Sequence, residues 1–188
     1  MHPLNLIRLV PAEGSDVATG SSISFGIAHS VWALQRLLDC AEALSAGDIE
    51  RDMGIGPGGV RENIAHTLEA MFFFADNFAG RAYVEREGFA EKCRSVPGLR
   101  GLLVEAERDL RGAMLGGGGV GGKQFIPWDA AAGGTLPVEA AVAQTFDHAS
   151  LHRTQCINML KRLGVRPVPD LDPLTFVSTG SPWQERLS

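Results

Sequence analysis

The sequence lacks any apolar run long enough to cross a membrane. Its longest apolar stretches, such as Ala70 to Ala75 and Ile126 to Trp128, fall far short of the roughly 18 to 20 residues that a spanning helix needs. Positive charge is also scarce, since 17 Lys and Arg residues face 22 Asp and Glu residues and the net charge is −5. A nucleic acid or an anionic membrane surface would require a basic patch. The sequence therefore predicts neither kind of partner.

Cysteine is equally sparse, and its spacing excludes two common uses. Cys40, Cys93 and Cys156 are odd in number, widely separated and form no CxxC pair. This pattern argues against a disulfide framework and against a zinc ribbon. The first residues also lack the basic segment, apolar core and small-residue cleavage site of a secretory signal. We therefore expect a cytoplasmic protein with reduced thiols.

Helical periodicity is the main signal that the sequence does contain. A chain of 188 residues fits a single domain, 1–188, and apolar residues recur in it at helical spacing in four long segments. These segments run from about Ile23 to Ala46, Val60 to Ala79, Leu99 to Leu115 and Pro137 to Leu163. Ser21 and Ser22 are candidate caps for the first helix, and Gly80 and Gly164 follow the second and fourth.

These segments, with few strand signals, predict an all-α fold, an antiparallel four-helix bundle. A run of glycines after Leu115 cannot continue a helix, which predicts a long crossover between helices 3 and 4, ending near Leu136. The tail, residues 165–188, is expected to be nonhelical because of its prolines, Pro167, Pro169 and Pro173. Its apolar residues, Phe176 and Trp183 among them, predict that it packs on the body or on a partner subunit.

Two of the five histidines, His148 and His152, lie four residues apart on the last predicted helix. Side chains at this spacing share a helical face, so two imidazoles can converge on one metal ion. The spacing alone is weak support, and a solvated polar face is the alternative, but the row that contains them is otherwise small and weakly polar. His66, midway along the second predicted helix, is the best third ligand. The alternative for His66 is a hydrogen-bonded histidine at a helix seam.

Other residues near these histidines are weaker candidates. Cys156 lies one turn beyond His152 and is either a soft fourth ligand or a buried filler. Glu62 and Glu69 are either hydrogen-bond acceptors or general bases beside the histidines, or ordinary solvated carboxylates. Gln144, Gln155 and Asn158 are further candidates for hydrogen bonds to the ligands.

The histidine pattern resembles that of a known family. Residues 58–66 read GGVRENIAH, a glycine-rich loop that leads to the histidine of the second helix. The last helix carries HxxxH and continues as His152-Arg153-Thr154-Gln155. Together these elements resemble the DinB-like (DinB/YfiT-like) superfamily of bacterial metalloproteins, which commonly has His-Arg-Gly-Gln at the latter place, where this chain has Thr154. The resemblance covers residues 23–164.

The resemblance implies a divalent metal ion, usually nickel or zinc, held by His66, His148 and His152 in the bundle core. Three neutral imidazoles leave the ion its full charge and an open coordination position, which suits the activation of water or a thiol. Members of the family with assigned activity include S-transferases and isomerases that use a low-molecular-weight thiol. The resemblance therefore implies a small-molecule substrate and a thiol cosubstrate.

Two other functions remain open. The same metal site would suit a hydrolase, and a noncatalytic, stress-associated metal-binding bundle needs no substrate at all. Arg61, Lys123 and Arg153 could receive the carboxylates of a thiol cosubstrate, but they lie on three different segments. A homodimer is expected through the aromatic second helix, which carries Phe72, Phe73, Phe74 and Phe78. A role in DNA repair conflicts with the acidic charge balance.

Overall fold

A computed structural model describes residues 15–116, 120 and 137–179, with side chains from residue 22 onward. Within these residues the chain is all-helical, without a strand. The helices are α1 (Ser15–Glu42), α2 (Ala46–Ile49), α3 (Val60–Phe78), α4 (Phe89–Lys92), α5 (Val96–Leu115), α6 (Val138–Arg162) and α7 (Pro173–Ser178). None of these helices is both long enough and apolar enough to cross a membrane. The all-α prediction is thus confirmed for the described part of the chain.

The bounds of the long helices agree with the predicted segments most closely where a glycine flanks the helix end. The start of α3 at Val60 and the end of α5 at Leu115 are as predicted. By contrast, α1 begins before Ser21 and Ser22, so these serines lie inside the helix and do not cap it. It also ends at Glu42, because Ser45 accepts a hydrogen bond from the Asp48 amide and starts the separate helix α2.

Two pairs of long helices run antiparallel. Helices α1 and α5 are joined by Arg100, which binds Asp39 at 2.9 Å, and at the other end by Arg111, which contacts Ser24 at 3.5 Å. Helices α3 and α6 also run antiparallel to each other. Cys156 contacts the start of α3, whereas residues earlier in α6 contact later ones in α3. The antiparallel arrangement predicted from sequence therefore holds for these two pairs.

Helices α3 and α5, in contrast, run in the same direction. Arg61 and Val96, at the starts of the two helices, line one cavity, while Asp76 and Asp109, near their ends, bind the same Arg86. The segment that connects α3 to α5 must therefore run antiparallel to both helices. Residues 79–95 make this return, and they contain α4 as a short helical turn.

This geometry corrects the predicted position of the crossover. Near the end of α5, Asp109 lies close to Asp76 through Arg86, and Gln144 near the start of α6 shares a cavity with Phe73 of α3. The end of α5 and the start of α6 thus lie at the same end of the fold. A crossover along the length of the helices is therefore not needed between them. The expectation failed because helical periodicity does not encode helix direction. Most of the glycine-rich connection, with Lys123, lies outside the described residues.

The aromatic side chains of α3 pack against other residues of this chain. Phe72, Phe74 and Phe78 are buried in the core. Phe73 is half-buried and packs on Tyr83 of the returning segment, with 6.0 Å between ring centroids. Three of the four aromatic side chains on which the homodimer prediction rests are therefore buried within this chain, and the homodimer stays a prediction.

The described part of the tail packs on α1. The ring of Phe176 lies 5.6 Å from that of Phe25 and 5.4 Å from that of Trp32. His29 is buried at the same place, and its Nε2 contacts the carbonyl oxygen of Leu171 at 2.8 Å. Burial, the main cause, lowers the pKa of His29. Trp183 lies outside the described residues.

The expectation of a nonhelical tail is wrong over Pro173–Ser178, which forms α7. Asp172 caps this helix, since its carboxylate accepts a hydrogen bond of 2.7 Å from the Thr175 amide. Proline is tolerated in the first turn, where its missing N–H would have no helical partner. The same proline that argues against a helix interior is therefore compatible with a helix start.

A buried carboxylate anchors the returning segment to α3. The side chain of Asp76 is 0% exposed and accepts hydrogen bonds from both terminal nitrogens of Arg86, at 2.8 and 2.9 Å. Arg81 and the Val84 amide donate to the same carboxylate. Burial alone would raise the pKa of Asp76, but these hydrogen bonds lower it below its usual value.

Replacing Asp76 with asparagine should reduce the free energy of unfolding by about 3 kcal/mol at pH 7, because Arg86 loses the buried charge that it pairs with. The folded-state pKa of Asp76 is lowered, so its stabilisation is present at neutral pH and is lost as the pH falls through that pKa. The difference between wild type and Asp76→Asn should therefore shrink below about pH 4 in urea titrations.

Glu91→Gln is the matched control. Glu91 pairs with Arg94 on the surface, where both side chains are 73% exposed, and its loss should change stability by less than about 0.5 kcal/mol. Equal losses for the two variants would contradict the anchoring role of Asp76.

Candidate metal centre

Three histidines converge where α3 packs on α6. One ring nitrogen from each of His66, His148 and His152 lies within 4.8 Å of the others, close enough for the three to bind one metal ion. The centroid of the His66 ring is 5.0 Å from that of His148 and 4.6 Å from that of His152. His152 is buried and the other two are half-buried. The structure thus brings together the three residues that the sequence pattern selects.

The hydrogen bonds of Asn63 fix the ring of His152. The amide nitrogen of Asn63 lies 3.0 Å from the Gly59 carbonyl oxygen and 3.3 Å from that of Gly58, so this end of the amide must be the donor. Its oxygen then faces Nδ1 of His152, at 3.2 Å, and can only accept. This network assigns the proton to Nδ1. The lone pair of Nε2 therefore remains free for a metal ion.

The glycine-rich loop is shaped to admit this network. Gly56 has φ +69°, and a Cβ atom there would lie 2.5 Å from Oε1 of Gln155 and 2.6 Å from Oδ1 of Asn63. A side chain at this position would both strain the backbone and displace the two amides. The loop glycine is thus part of the support of the histidine cluster.

His148 carries the strongest sign that the cluster is built for a ligand. Its Nε2 is buried and has no hydrogen-bond partner among the described residues. Unsatisfied buried nitrogens are rare because they cost free energy, and a metal ion would satisfy this one. Burial, followed by the nearby His152 and His66, lowers the pKa of His148 to about 4. Burial also lowers the pKa of His152. Both imidazoles are therefore neutral at pH 7, as metal ligands must be.

Cys156 does not join the cluster. Its Sγ lies 4.0 Å from the carbonyl oxygen of Val60, and it is absent from the group of ligand atoms within 4.8 Å of one another. Burial raises the pKa of this thiol to about 12, so it is a neutral thiol at pH 7. The geometry favours the buried filler of the two alternatives.

A cavity of about 510 Å³ opens beside the histidines, and we call it the histidine cavity. Its lining residues are His66, Glu69, Ala70, Phe73, Phe74, Tyr83, Gln144 and His148. The hydroxyl of Tyr83 donates to Oε1 of Glu69 at 3.4 Å, and burial together with the charge of Glu69 raises the pKa of Tyr83 to about 12. Of the predicted carboxylates, Glu69 is therefore the one beside the metal ligands.

Glu62 has a different environment from Glu69. Its carboxylate accepts a hydrogen bond of 3.1 Å from the Gly59 amide and so caps the start of α3. It also binds Arg61, whose other terminal nitrogen binds Glu50 at 2.6 Å. Glu62 does not line the histidine cavity. The structure therefore gives Glu62 a capping contact and no contact with the histidines.

The predicted basic residues do not converge. Arg61 lies at the start of α3, whereas Arg153 is buried on α6 and contacts Ser30 of α1. Each lines its own cavity, and neither lines the histidine cavity. Lys123 lies outside the described residues. The described part of the chain therefore has no cluster of these basic residues that could bind the carboxylates of a thiol.

Among the amide residues that were candidates for hydrogen bonds to the histidines, Gln144 lines the histidine cavity and Asn158 is exposed.

Sequence reasoning missed two residues of the site. Asn63 precedes His66 by three positions and so shares its helical face, a signal that was available in the sequence. Tyr83 lies on the returning segment, and only the parallel arrangement of α3 and α5 brings it to Glu69. No local pattern could have indicated that contact.

No family model matches the chain, and no curated protein matches its sequence. The resemblance to the DinB-like superfamily is therefore still a prediction.

Asn63→Ala should lower the affinity for Zn²⁺ or Ni²⁺ by about 10- to 100-fold, because His152 loses the acceptor that fixes its protonated nitrogen. Competition with a chromogenic chelator measures this affinity, and circular dichroism verifies the fold. Asn158→Ala is the control, since Asn158 is exposed on α6 and should leave the affinity unchanged. Equal affinities for wild type and Asn63→Ala would contradict the orienting role.

Proposed function

We propose that this protein is a DinB-like metalloprotein whose four long helices form a four-helix bundle around a divalent ion, nickel or zinc. His66, His148 and His152 would hold the ion. The observation that carries this proposal is the convergence of their ring nitrogens within 4.8 Å, with the buried Nε2 of His148 left without a hydrogen-bond partner among the residues that the structure describes. Such a donor set, three neutral imidazoles, is typical of catalytic zinc sites with an open position.

We further propose that the protein is an S-transferase-type enzyme that activates a low-molecular-weight thiol. A bound divalent ion would supply Lewis-acid chemistry at its open position, where it lowers the pKa of a thiol or of water. Glu69, in the wall of the histidine cavity, would accept the proton of the thiol. The thiol sulfur then forms a bond to an electrophilic carbon of the substrate, and the leaving group departs with its bonding electrons.

The walls of the histidine cavity suit this chemistry. Phe73 and Phe74 give it an apolar surface that would hold the body of the electrophile and keep water away. Tyr83 donates to Glu69 and would hold its carboxylate in place. No Lys or Arg of the described residues lines the cavity. The walls therefore favour a thiol without carboxylate groups over the anionic thiol that Arg61 and Arg153 were expected to bind.

Glu69→Gln tests this function in the metal-loaded protein. Loss of the proton acceptor should lower the turnover of thiol transfer by about 100-fold or more, while the metal content stays at the wild-type level. A screen of uncharged and anionic thiols against electrophiles, with and without a chelator, supplies the assay. The chelator should abolish turnover.

Glu62→Gln is the matched control, because Glu62 caps α3 and does not line the histidine cavity. It should keep wild-type turnover in protein that is shown to be folded. If the metal-loaded wild type transfers no thiol, the S-transferase assignment is wrong. Hydrolysis of esters or amides would then identify a hydrolase, and the absence of both activities would leave a noncatalytic metal-binding protein.

A further inference from the structure

Arg153 is a buried cation that lacks a counterion in the described part of the chain. It is only 9% exposed. Within the described residues its guanidinium makes one long hydrogen bond, 3.4 Å from Nη1 to the hydroxyl oxygen of Ser30, although the group carries five N–H donors. Burial lowers the pKa of Arg153, and no described carboxylate raises it. A buried charge without a partner costs free energy, so such an arginine is expected to have a use.

Arg153 lines a cavity of about 690 Å³ between α1, α6 and the tail, which we call the tail cavity, and its charge acts on His29, another lining residue. Phe146 and Ile157 of α6 form one apolar wall, and Val168 and Leu171 of the tail form another. The hydrogen bond between His29 and the Leu171 carbonyl holds the tail in this position. The tail cavity shares no lining residue with the histidine cavity. It is therefore a separate site.

The charges around the tail cavity restrict the ligand. Lys161 and three aspartates, Asp147, Asp170 and Asp172, also line it. Two of these carboxylates are engaged in α7, because Asp170 accepts from the Thr175 hydroxyl and Asp172 from the Thr175 amide. Their negative charge would repel a multiply charged anion. A single negative charge that pairs with Arg153 is tolerated better.

We propose that the tail cavity binds a small organic monocarboxylate. The planar carboxylate matches the fork of the Arg153 guanidinium, which can donate two parallel hydrogen bonds to it. The apolar body of the ligand lies against Phe146, Ile157 and Leu171. This site is independent of the metal centre and of the proposed thiol chemistry.

Isothermal titration of the full-length protein with benzoate tests the proposal, both metal-loaded and after chelator treatment. Benzoate should bind in both states, because the site does not involve the histidines. Acetate should bind more weakly, since it lacks an apolar body. Benzyl alcohol and inorganic phosphate should bind at least tenfold more weakly than benzoate, because the alcohol lacks the charge and phosphate carries too much of it.

Arg153→Gln should weaken benzoate binding at least tenfold. Arg153→Lys keeps the charge but not the planar fork, so it should restore only part of the affinity. Arg162→Gln, an exposed arginine on the same helix, should bind benzoate as the wild type does. Both variants of Arg153 should stay folded, as circular dichroism verifies, because no ion pair of the described residues is lost and only the contact with Ser30 changes.

Four results would overturn the proposal. These are no benzoate binding, unchanged binding by Arg153→Gln, equal binding of benzoate and phosphate, and loss of benzoate binding on chelation. The last result would place the ligand at the metal centre. Failure of thiol transfer, in contrast, would leave the benzoate result unaffected, so the two proposals can fail separately.

Discussion

The hydrogen bond between Nδ1 of His152 and Oδ1 of Asn63 ties together the two helices that carry the candidate metal centre. It places a buried acceptor of α3 opposite a buried donor of α6, and a slip between the helices would break it. The amide nitrogen of Asn63 extends the network into the glycine-rich loop before α3. The loop, the helix register and the imidazole orientation therefore meet at this side chain, and Gln155 adds a second polar contact with His152.

A second polar contact links the fold to the same centre. Because α3 and α5 are parallel, the chain returns along them, and the buried Asp76–Arg86 pair attaches this returning segment to α3. Tyr83 lies in the segment and reaches Glu69 at the edge of the histidine cavity. The connection between two helices thus also forms part of the cavity wall.

The parts of the structure that could be predicted from sequence are those governed by local rules. Helical periodicity predicts the long helices, and the four-residue spacing of His148 and His152 predicts their shared face. Glu62, at the third position of α3, carries a capping-box signal that explains its contact with Gly59. Asp172 before Pro173 is a similar signal for the start of α7.

The rest depends on tertiary contacts that no local rule contains. An apolar helix face packs equally well on a parallel or an antiparallel neighbour, so periodicity could not place the crossover. Arg61 and Arg153 are suitable for binding an anion by residue type alone, but the two helices direct them to different cavities. The support of His152 by Asn63 likewise needs the facing register of α3 and α6.

X-ray absorption spectroscopy of the protein loaded with one equivalent of Zn²⁺ or Ni²⁺ tests the central claim most directly. The account predicts about one bound ion per chain, with three imidazole nitrogens at about 2.0 to 2.1 Å for zinc and no sulfur in its coordination shell. His152→Ala should lose the ion, whereas His29→Ala, which alters a histidine on α1, should retain it. A sulfur ligand, or equal metal content in the two variants, would contradict the three-histidine centre.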